Sequence, residues 1–276
     1  MSEFDTEIAK GERFEFGKNW SRFLSVLDNE RIVEAEKSLR QMLECENLVG
    51  KSFLDVGSGS GLFSLAARRL GMRVHSFDYD PQSVASTNEL KRRYFRDDPN
   101  WTVEEGSVLD ADYMKSLGEF DIVYAWGVLH HTGGMWRALE NVQIPVAPER
   151  LLLISIYNYQ VYWTAFNMQM KRAYVHAPLL GKWVIVGSFI AFQVVKGLIK
   201  DIMLLRNPAQ RYHDKKKSRG MSTWHDWIDW VGGYPFEVAK PEEIFDFYRR
   251  KKFCLVKLKT CGGGHGCNQF VFIKSH

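Results

Sequence analysis

The sequence has few cysteines and no segment of the secretory type. Four cysteines in 276 residues do not indicate a disulfide framework in a chain of this length; they are Cys45, Cys254, Cys261 and Cys267. The N-terminal stretch is polar and mixed in charge, so it does not match a secretory signal peptide. A reducing, cytoplasmic location is the expectation that follows.

The sequence also lacks an uncharged run of the length that a transmembrane helix requires. Its apolar segment from Trp183 to Val195 has thirteen residues between Lys182 and Lys196, whereas a spanning helix needs about 20. A helix that is apolar on all sides must nevertheless be buried. Burial in the protein or in a homodimer interface is the favoured interpretation. Peripheral membrane contact through residues 179–219 is the alternative.

The chain as a whole has no strong charge bias. Its formal net charge is +4, but the segment 182–219 holds nine basic residues and two acidic ones, a charge of 9 − 2 = +7. The rest of the chain therefore carries about −3, which is 4 − 7. Because the basic residues belong to one segment, nucleic-acid binding is not expected.

The most informative segment is Lys51 to Phe63, with the sequence KSFLDVGSGSGLF. An apolar run ends in three glycines at single-residue spacing, and a helical pattern starts at Leu62. This order predicts a strand, a glycine loop and a helix, which open a nucleotide-binding α/β unit. Asp78 follows a second strand-like run, where a carboxylate is placed to accept hydrogen bonds from two ribose hydroxyls.

The glycine spacing distinguishes two classes of ligand. A dinucleotide site of the form GxGxxG or GxGxxA needs a small third residue, and this sequence has Leu62 there. The stretch DVGSGSG followed by FDYD instead resembles the S-adenosylmethionine (SAM) site of class I methyltransferases, which include ubiquinone, menaquinone and other small-molecule methylases. An NAD(P)-binding oxidoreductase and a non-catalytic SAM-binding protein are the rival hypotheses.

The resemblance implies a set of cofactor-binding residues, namely Asp55, Gly57, Ser58, Gly59, Gly61, Asp78, Tyr79, Ser107, Val108, Ala125 and Trp126. Ser107 and Val108 follow the third predicted strand, where such enzymes border adenine. Asp110 is either a further adenine contact or, as favoured here, a turn residue. Ala125 and Trp126 are expected to leave the fourth strand, Phe120 to Tyr124, beside the cofactor.

Candidate catalytic residues follow the fourth predicted strand. His130 and His131 lie at the edge where open α/β sheets bind their ligands, and a histidine there can take a proton from a hydroxyl at neutral pH. Alternatively, one histidine packs or caps the helix that starts near Met135. The predicted substrate-binding residues are Trp20, Tyr157, Asn158, His225 and Trp227.

Two further segments have open interpretations. Phe16, Asn19 and Trp20 belong to an aromatic lead-in that either packs on the sheet or covers the cofactor pocket. The stretch CGGGHGCN has a spacing that fits no common zinc site, so no metal is predicted. It is interpreted as the tip of a hairpin, with His265 or Asn268 touching substrate.

The predicted fold class is α/β, a doubly wound Rossmann-like sheet of five parallel strands completed by an antiparallel C-terminal hairpin. The predicted parts are a helical cap (1–48), a SAM-binding core (49–159), a mostly helical insertion or substrate lid (160–238), and a last helix with the hairpin (239–276). The expected activity is O-methylation of a small hydroxylated acceptor, lipophilic and membrane-associated molecules included. C-, N- or S-methylation of another small molecule or sugar is the alternative.

Overall fold

The structure is a computed structural model that describes residues 3–44, 47–204, 230–262, 264 and 266–275. The chain divides into two compact units. The sheet unit comprises Glu15–Thr164 and Pro235–His276, and the helical unit comprises Met1–Phe14 and Ala165–Tyr234. The predicted substrate residues His225 and Trp227 lie outside the described residues.

The sheet unit contains a mixed sheet of seven described strands. They are β1 Ser52–Val56, β2 Arg73–Asp78, β3 Trp101–Glu105, β4 Phe120–Trp126, β5 Val146–Tyr157, β6 Phe253–Lys259 and β7 Cys267–Lys274. Their spatial order is β3-β2-β1-β4-β5-β7-β6. The first five are parallel to one another, whereas β7 is antiparallel to both β5 and β6. The predicted fold class is therefore confirmed.

The described helices are α1 Glu3–Ala9, α2 Phe16–Phe23, α3 Asn29–Leu43, α4 Leu62–Arg69, α5 Pro81–Tyr94, α6 Ala111–Ser116, α7 Met135–Val142, α8 Trp163–His176, α9 Leu179–Met203 and α10 Pro241–Arg250, with a 3₁₀ turn at Leu129–His131. The start of α5 follows from its sequence. Asp80 caps the helix by accepting a hydrogen bond from the Gln82 amide at 2.8 Å, and Pro81 occupies the first turn.

Two apolar cores cover the two faces of the sheet. One includes Leu139 of α7 and Ile244 of α10, and the other includes Leu39 of α3, Leu65 of α4 and Leu90 of α5. Parallel strands that are covered on both faces read as continuous apolar runs, as the sequence of β5 does. The carboxyl ends of β1, β2, β4 and β5 consequently meet at one edge, where ligands bind in such sheets.

The structure corrects two strand boundaries. β4 continues to Trp126, because Ala125 pairs with Ile154 and Trp126 with Ser155 of β5. The prediction that Ala125 and Trp126 leave the sheet is therefore wrong. The apolar run RLLLISIYNYQ predicts the fifth strand over Arg150 to Gln160, whereas β5 starts earlier, at Val146, and ends at Tyr157.

The helical unit contains a buried lysine. Lys171 of α8 donates a hydrogen bond to the carbonyl of Trp230 and lies 4.6 Å from the centroid of its ring. Phe189 of α9 also stacks on this indole, with the ring centroids 4.8 Å apart. Paired with a carbonyl and an aromatic face, the ammonium group has favourable contacts although it is removed from water.

The helix α9 differs from its prediction in length and burial. It has 25 residues, and its most apolar 18-residue window has a mean hydropathy of 1.5 with only 11% of that window buried. By length and composition alone it is the one described helix that could cross a membrane. Burial within the chain's own core, one form of the favoured prediction, does not hold for this helix, whereas burial in a homodimer interface stays a prediction.

Candidate active site

The glycine loop follows β1 and has a backbone that side chains rarely adopt. Gly57, Gly59 and Gly61 have φ values of +72°, +55° and +78°. A Cβ atom at Gly57 would lie 2.5 Å from the methyl groups of Val128, and one at Gly59 would lie 3.0 Å from Nε1 of Trp20. Glycine is therefore required both by conformation and by space.

Asp78 joins this loop to the end of β2. Its Oδ2 accepts a hydrogen bond from the Gly59 amide and its Oδ1 accepts one from the Asp80 amide, each at 2.9 Å. An ionised carboxylate has about four acceptor positions. Asp78 thus holds the loop at the carboxyl end of β2, where the acid that binds a ribose lies in such folds.

Asp55 is buried at the end of β1. Its Oδ2 accepts a hydrogen bond from the Ser64 hydroxyl, which is 2.7 Å from the hydroxyl of Ser76, and the Trp101 indole donates to Ser76 at 3.0 Å. Burial raises the pKa of Asp55 to about 7, the Ser64 hydrogen bond opposes this rise, and the charge of Asp78 adds to it. A carboxyl group with a raised pKa therefore lies at the same sheet edge as Asp78.

The helix α2 covers the glycine loop. The Gly17 amide donates to Oδ2 of Asp80 at 2.7 Å, and the hydroxyls of Ser21 and Ser86 are 3.2 Å apart. Trp20 is the side chain nearest to the missing Cβ of Gly59. Of the two interpretations of the lead-in, the structure thus places Trp20 over the loop. Its role toward substrate stays a prediction.

His130 and His131 form a buried aromatic cluster at the carboxyl ends of β4 and β5. The ring of His130 is 4.1 Å from that of Tyr157 and 4.5 Å from that of His131. Phe16 of α2 is 5.0 Å from His131. The predicted catalytic histidines, the predicted substrate residue Tyr157 and the lead-in helix therefore meet at one place.

Residues 235–237 form hydrogen bonds with the 3₁₀ turn that contains His130 and His131, called the histidine turn below. The carbonyl of Pro235 is 2.7 Å from Nδ1 of His131. Glu237 donates its amide to the His130 carbonyl at 3.0 Å, and its Oε2 accepts the Met135 amide at 2.8 Å. Burial raises the pKa of Glu237, although the hydrogen bond from Met135 opposes this.

The contacts of residues 235–237 with the histidine turn were not predicted from the sequence. The one from the Pro235 carbonyl determines the tautomer of His131. A carbonyl oxygen only accepts hydrogen bonds, so Nδ1 of His131 must carry the proton. In the neutral imidazole, Nε2 is then the nitrogen that can take up a proton. The role that one histidine was expected to play as a cap of α7 belongs instead to Glu237.

The remaining predicted residues have mixed placements. Ser107 accepts the Leu109 amide at 3.2 Å, whereas Val108 packs in the apolar core. Asp110 is exposed and caps α6 by accepting the amides of Asp112 and Tyr113, as the turn interpretation expected. Trp126 stacks on Tyr124 with centroids 5.7 Å apart.

Asn158 is held by the terminal hairpin. Its side-chain oxygen accepts a hydrogen bond from Nδ2 of Asn268 at 2.9 Å, and its amide donates to the Gly266 carbonyl at 2.9 Å. The oxygen of the Asn268 side chain accepts the Cys261 amide at 3.2 Å. Buried Asn268 therefore positions Asn158 rather than facing outward. His265 lies outside the described residues.

Comparisons with known proteins agree with this geometry. A family model described as a methyltransferase domain matches residues 28–199. The ribosomal protein L11 methyltransferases of Campylobacter fetus and Anoxybacillus flavithermus are 36% identical over 90 residues and 32% over 113, covering 29% and 36% of this chain. These matches span 30% and 36% of the relatives' length. Magnesium protoporphyrin IX methyltransferase from Synechocystis, solved with bound S-adenosylhomocysteine, aligns with a TM-score of 0.55 and 12% identity over 94% of each chain.

The family match covers more than half of the 276 residues, so the chain belongs to the methyltransferase-domain family. Its sheet order is that of the Rossmann-like class I fold. The predicted membership of the methyltransferases is thereby confirmed. The glycine cradle and the acid at the end of β2 fit a cofactor that carries a ribose.

Proposed function

We propose that this enzyme transfers the methyl group of SAM to the hydroxyl oxygen of a small acceptor, a class that includes lipophilic and membrane-associated molecules. The observation that carries the proposal is the hydrogen bond between Nδ1 of His131 and the Pro235 carbonyl. It directs the basic nitrogen of a buried imidazole away from its anchor, at the sheet edge that binds ligands in this fold.

On this proposal the cofactor, when bound, supplies a methyl group that is already activated on a sulfonium. The chain's own residues must then align an acceptor, exclude water and remove one proton. Asp78 would accept hydrogen bonds from the ribose hydroxyls, and the glycines from Gly57 to Gly61 would allow the backbone to approach the cofactor. The further predicted contacts with the cofactor are Ser58, Tyr79, Ser107 and the backbone of Val108.

His131 is the proposed general base. The Pro235 carbonyl fixes its ring through Nδ1, and Phe16 and Tyr157 pack against the ring at 5.0 and 5.4 Å. A base held in one orientation can take the hydroxyl proton as the oxygen attacks. His130 lies closer to Tyr157, and the Glu237 amide fixes its backbone. We assign it a packing role within the same turn.

The acceptor atom is tested by a screen with methyl-labelled SAM. Matched panels of phenols or alcohols, amines, thiols and carbon acids separate O-transfer from N-, S- and C-transfer. Methylation confined to amines, thiols or carbon would refute the proposed chemistry. Tight binding of NADH without binding of SAM, measured by calorimetry, would favour an oxidoreductase, and SAM binding with no turnover on any panel would favour a non-catalytic protein.

The base is tested by His131→Asn, because the amide of asparagine can still donate to the Pro235 carbonyl but cannot take up a proton. We expect kcat to fall by roughly 10² to 10⁴, with unchanged SAM affinity and loss of the acidic limb of the pH–rate profile. His130→Asn is the matched control and should retain that limb. If His131→Asn keeps the wild-type profile, the base lies elsewhere, with Tyr157 and His225 as the next candidates.

A further inference from the structure

The helix α9 presents a broad apolar face to solvent. Ten of its large apolar side chains are at least 41% exposed, and they are Leu179, Leu180, Trp183, Val184, Phe192, Val195, Leu198, Ile199, Ile202 and Met203. The aromatic members are the most informative, since Trp183 is 56% and Phe192 50% exposed. Contiguous exposed apolar surface on this scale marks a site of interaction.

The opposite side of α9 is covered by the chain itself. Val186 is buried, and Phe189 stacks on the indole of Trp230. A helix that crosses a bilayer faces lipid or other membrane-embedded elements all round, whereas this helix has one side in a packed unit. Its geometry therefore suits a helix that lies in an interface with one face immersed.

The charges on α9 have one sign at its surface. Lys196 is exposed, and Lys182 is partly exposed with its ammonium 5.6 Å from the Tyr174 ring. The only acidic residue in the sequence of the helix, Asp201, is buried. We propose that this face of α9 docks on the surface of an anionic lipid bilayer, with the apolar side chains among the acyl chains and the lysines at the headgroups.

Charge also argues against a second copy of this chain as the occupant. A two-fold dimer places the same patch on both sides of the interface. The described side chains of this face offer lysines and no exposed acid, so two copies would bring like charges together. Anionic headgroups supply the missing negative charge, and each nearby lysine contributes about 1 kcal/mol to such binding. The inference does not depend on the proposed methyl transfer or on its acceptor.

The test measures co-sedimentation of the full chain with two kinds of vesicle, phosphatidylcholine alone and phosphatidylcholine with phosphatidylserine. We expect binding to the anionic vesicles that weakens when salt rises from about 0.1 to 1 M, which shortens the screening length from about 10 to 3 Å. The double variant Trp183→Ser/Phe192→Ser should partition at least ~10-fold more weakly, since two large side chains no longer enter the acyl region.

Control variants separate this face from general surface effects. Val256→Ser removes a 55% exposed apolar side chain from β6 and should bind vesicles as the wild type does. Lys196→Gln should weaken binding to anionic vesicles and leave any binding to neutral vesicles unchanged. SAM affinity and circular dichroism should be the same for all variants, which shows that the fold is retained.

Three results would overturn the proposal. The first is equal vesicle binding by the wild type and the double variant. The second is absence of vesicle binding together with self-association, seen by sedimentation velocity, that the double variant abolishes, because a second copy then covers the face. The third is vesicle binding that resists high salt and alkaline carbonate and yields only to detergent, which indicates a spanning helix.

Discussion

The buried carboxyl group of Asp55 makes the stability of this protein depend on pH in a direction opposite to that of most acids. Replacing it by asparagine, in Asp55→Asn, gives a neutral side chain of nearly the same size. The amide oxygen can still accept the hydrogen bond from Ser64 that the carboxylate accepts in the wild type. The substitution therefore imitates the protonated acid and removes only its ability to ionise.

The magnitude follows from the pKa. Burial raises the pKa of Asp55 from an ordinary 3.8 to about 7, and about 1.4 kcal/mol corresponds to each pKa unit, so the difference is roughly 4 kcal/mol. Between about pH 4 and 7 the unfolded chain has lost this proton and the folded chain retains it. As the pH rises through this window, Asp55 therefore lowers the free energy of unfolding of the wild type by about 1.4 kcal/mol per pH unit.

The assay is urea unfolding of both proteins at a series of pH values, followed by far-UV circular dichroism. The variant should gain stability relative to the wild type by about 4 kcal/mol between pH 4 and 8. Asp121→Asn is the control. Burial tends to raise the pKa of Asp121, but hydrogen bonds from Ser52 and the charge of Arg150 outweigh this and lower it. The difference in free energy of unfolding between Asp121→Asn and the wild type should be constant above pH 5. If the free energy of unfolding of Asp55→Asn also ran parallel to that of the wild type from pH 4 to 8, a protonated Asp55 in the folded chain would be refuted.

Two further predictions concern the cofactor site. Asp78→Ala should weaken SAM binding, measured by calorimetry, by about 1.5 to 3 kcal/mol per lost charge-assisted hydrogen bond. The exposed control Asp112→Ala should bind SAM as the wild type does. Unchanged affinity in Asp78→Ala would show that another acid binds the ribose. Gly59→Ala should weaken SAM binding, because its Cβ would lie 3.0 Å from Nε1 of Trp20 and the backbone would be held at a φ of +55°. Gly118→Ala introduces a side chain at a similar φ of +76° in open space, so equal SAM affinity in these two variants would contradict the steric argument.

Local sequence signals predicted the part of the site that lies between β1 and α5. The glycines, the apolar run before them and the Asp80–Pro81 pair are short-range features, and each has a direct physical consequence within a few residues. The buried residues of α3 are likewise apolar positions at helical spacing, namely Ile32, Ala35, Leu39 and Leu43. Within the predicted helical cap (1–48), the bounds of α2 were not predicted even though Phe16, Trp20 and Phe23 have helical spacing, because no capping residue marks its start.

The parts that could not be predicted depend on contacts between distant residues. The bond from His131 to Pro235 joins positions 104 residues apart, and no local pattern encodes such a pairing. The extent of β4 was likewise set by its partner, since pairing with β5 keeps Ala125 and Trp126 in the sheet. The exposure of α9 was unpredictable for a related reason, because an apolar sequence does not specify which of its sides the rest of the chain covers.

The two ends of the insertion lie beside the proposed base. The chain leaves the sheet after Tyr157 and returns at residues 235–239, where the Ala239 amide donates to the Tyr157 carbonyl at 3.0 Å. The two ends of the insertion are therefore hydrogen-bonded to each other at the ligand-binding edge. Residues 235–237, with which the chain returns, bind His131 and His130. A connection at the other edge of the sheet could vary freely in length, whereas a change here that displaced Pro235 would release Nδ1 of His131 and with it the orientation of the proposed base.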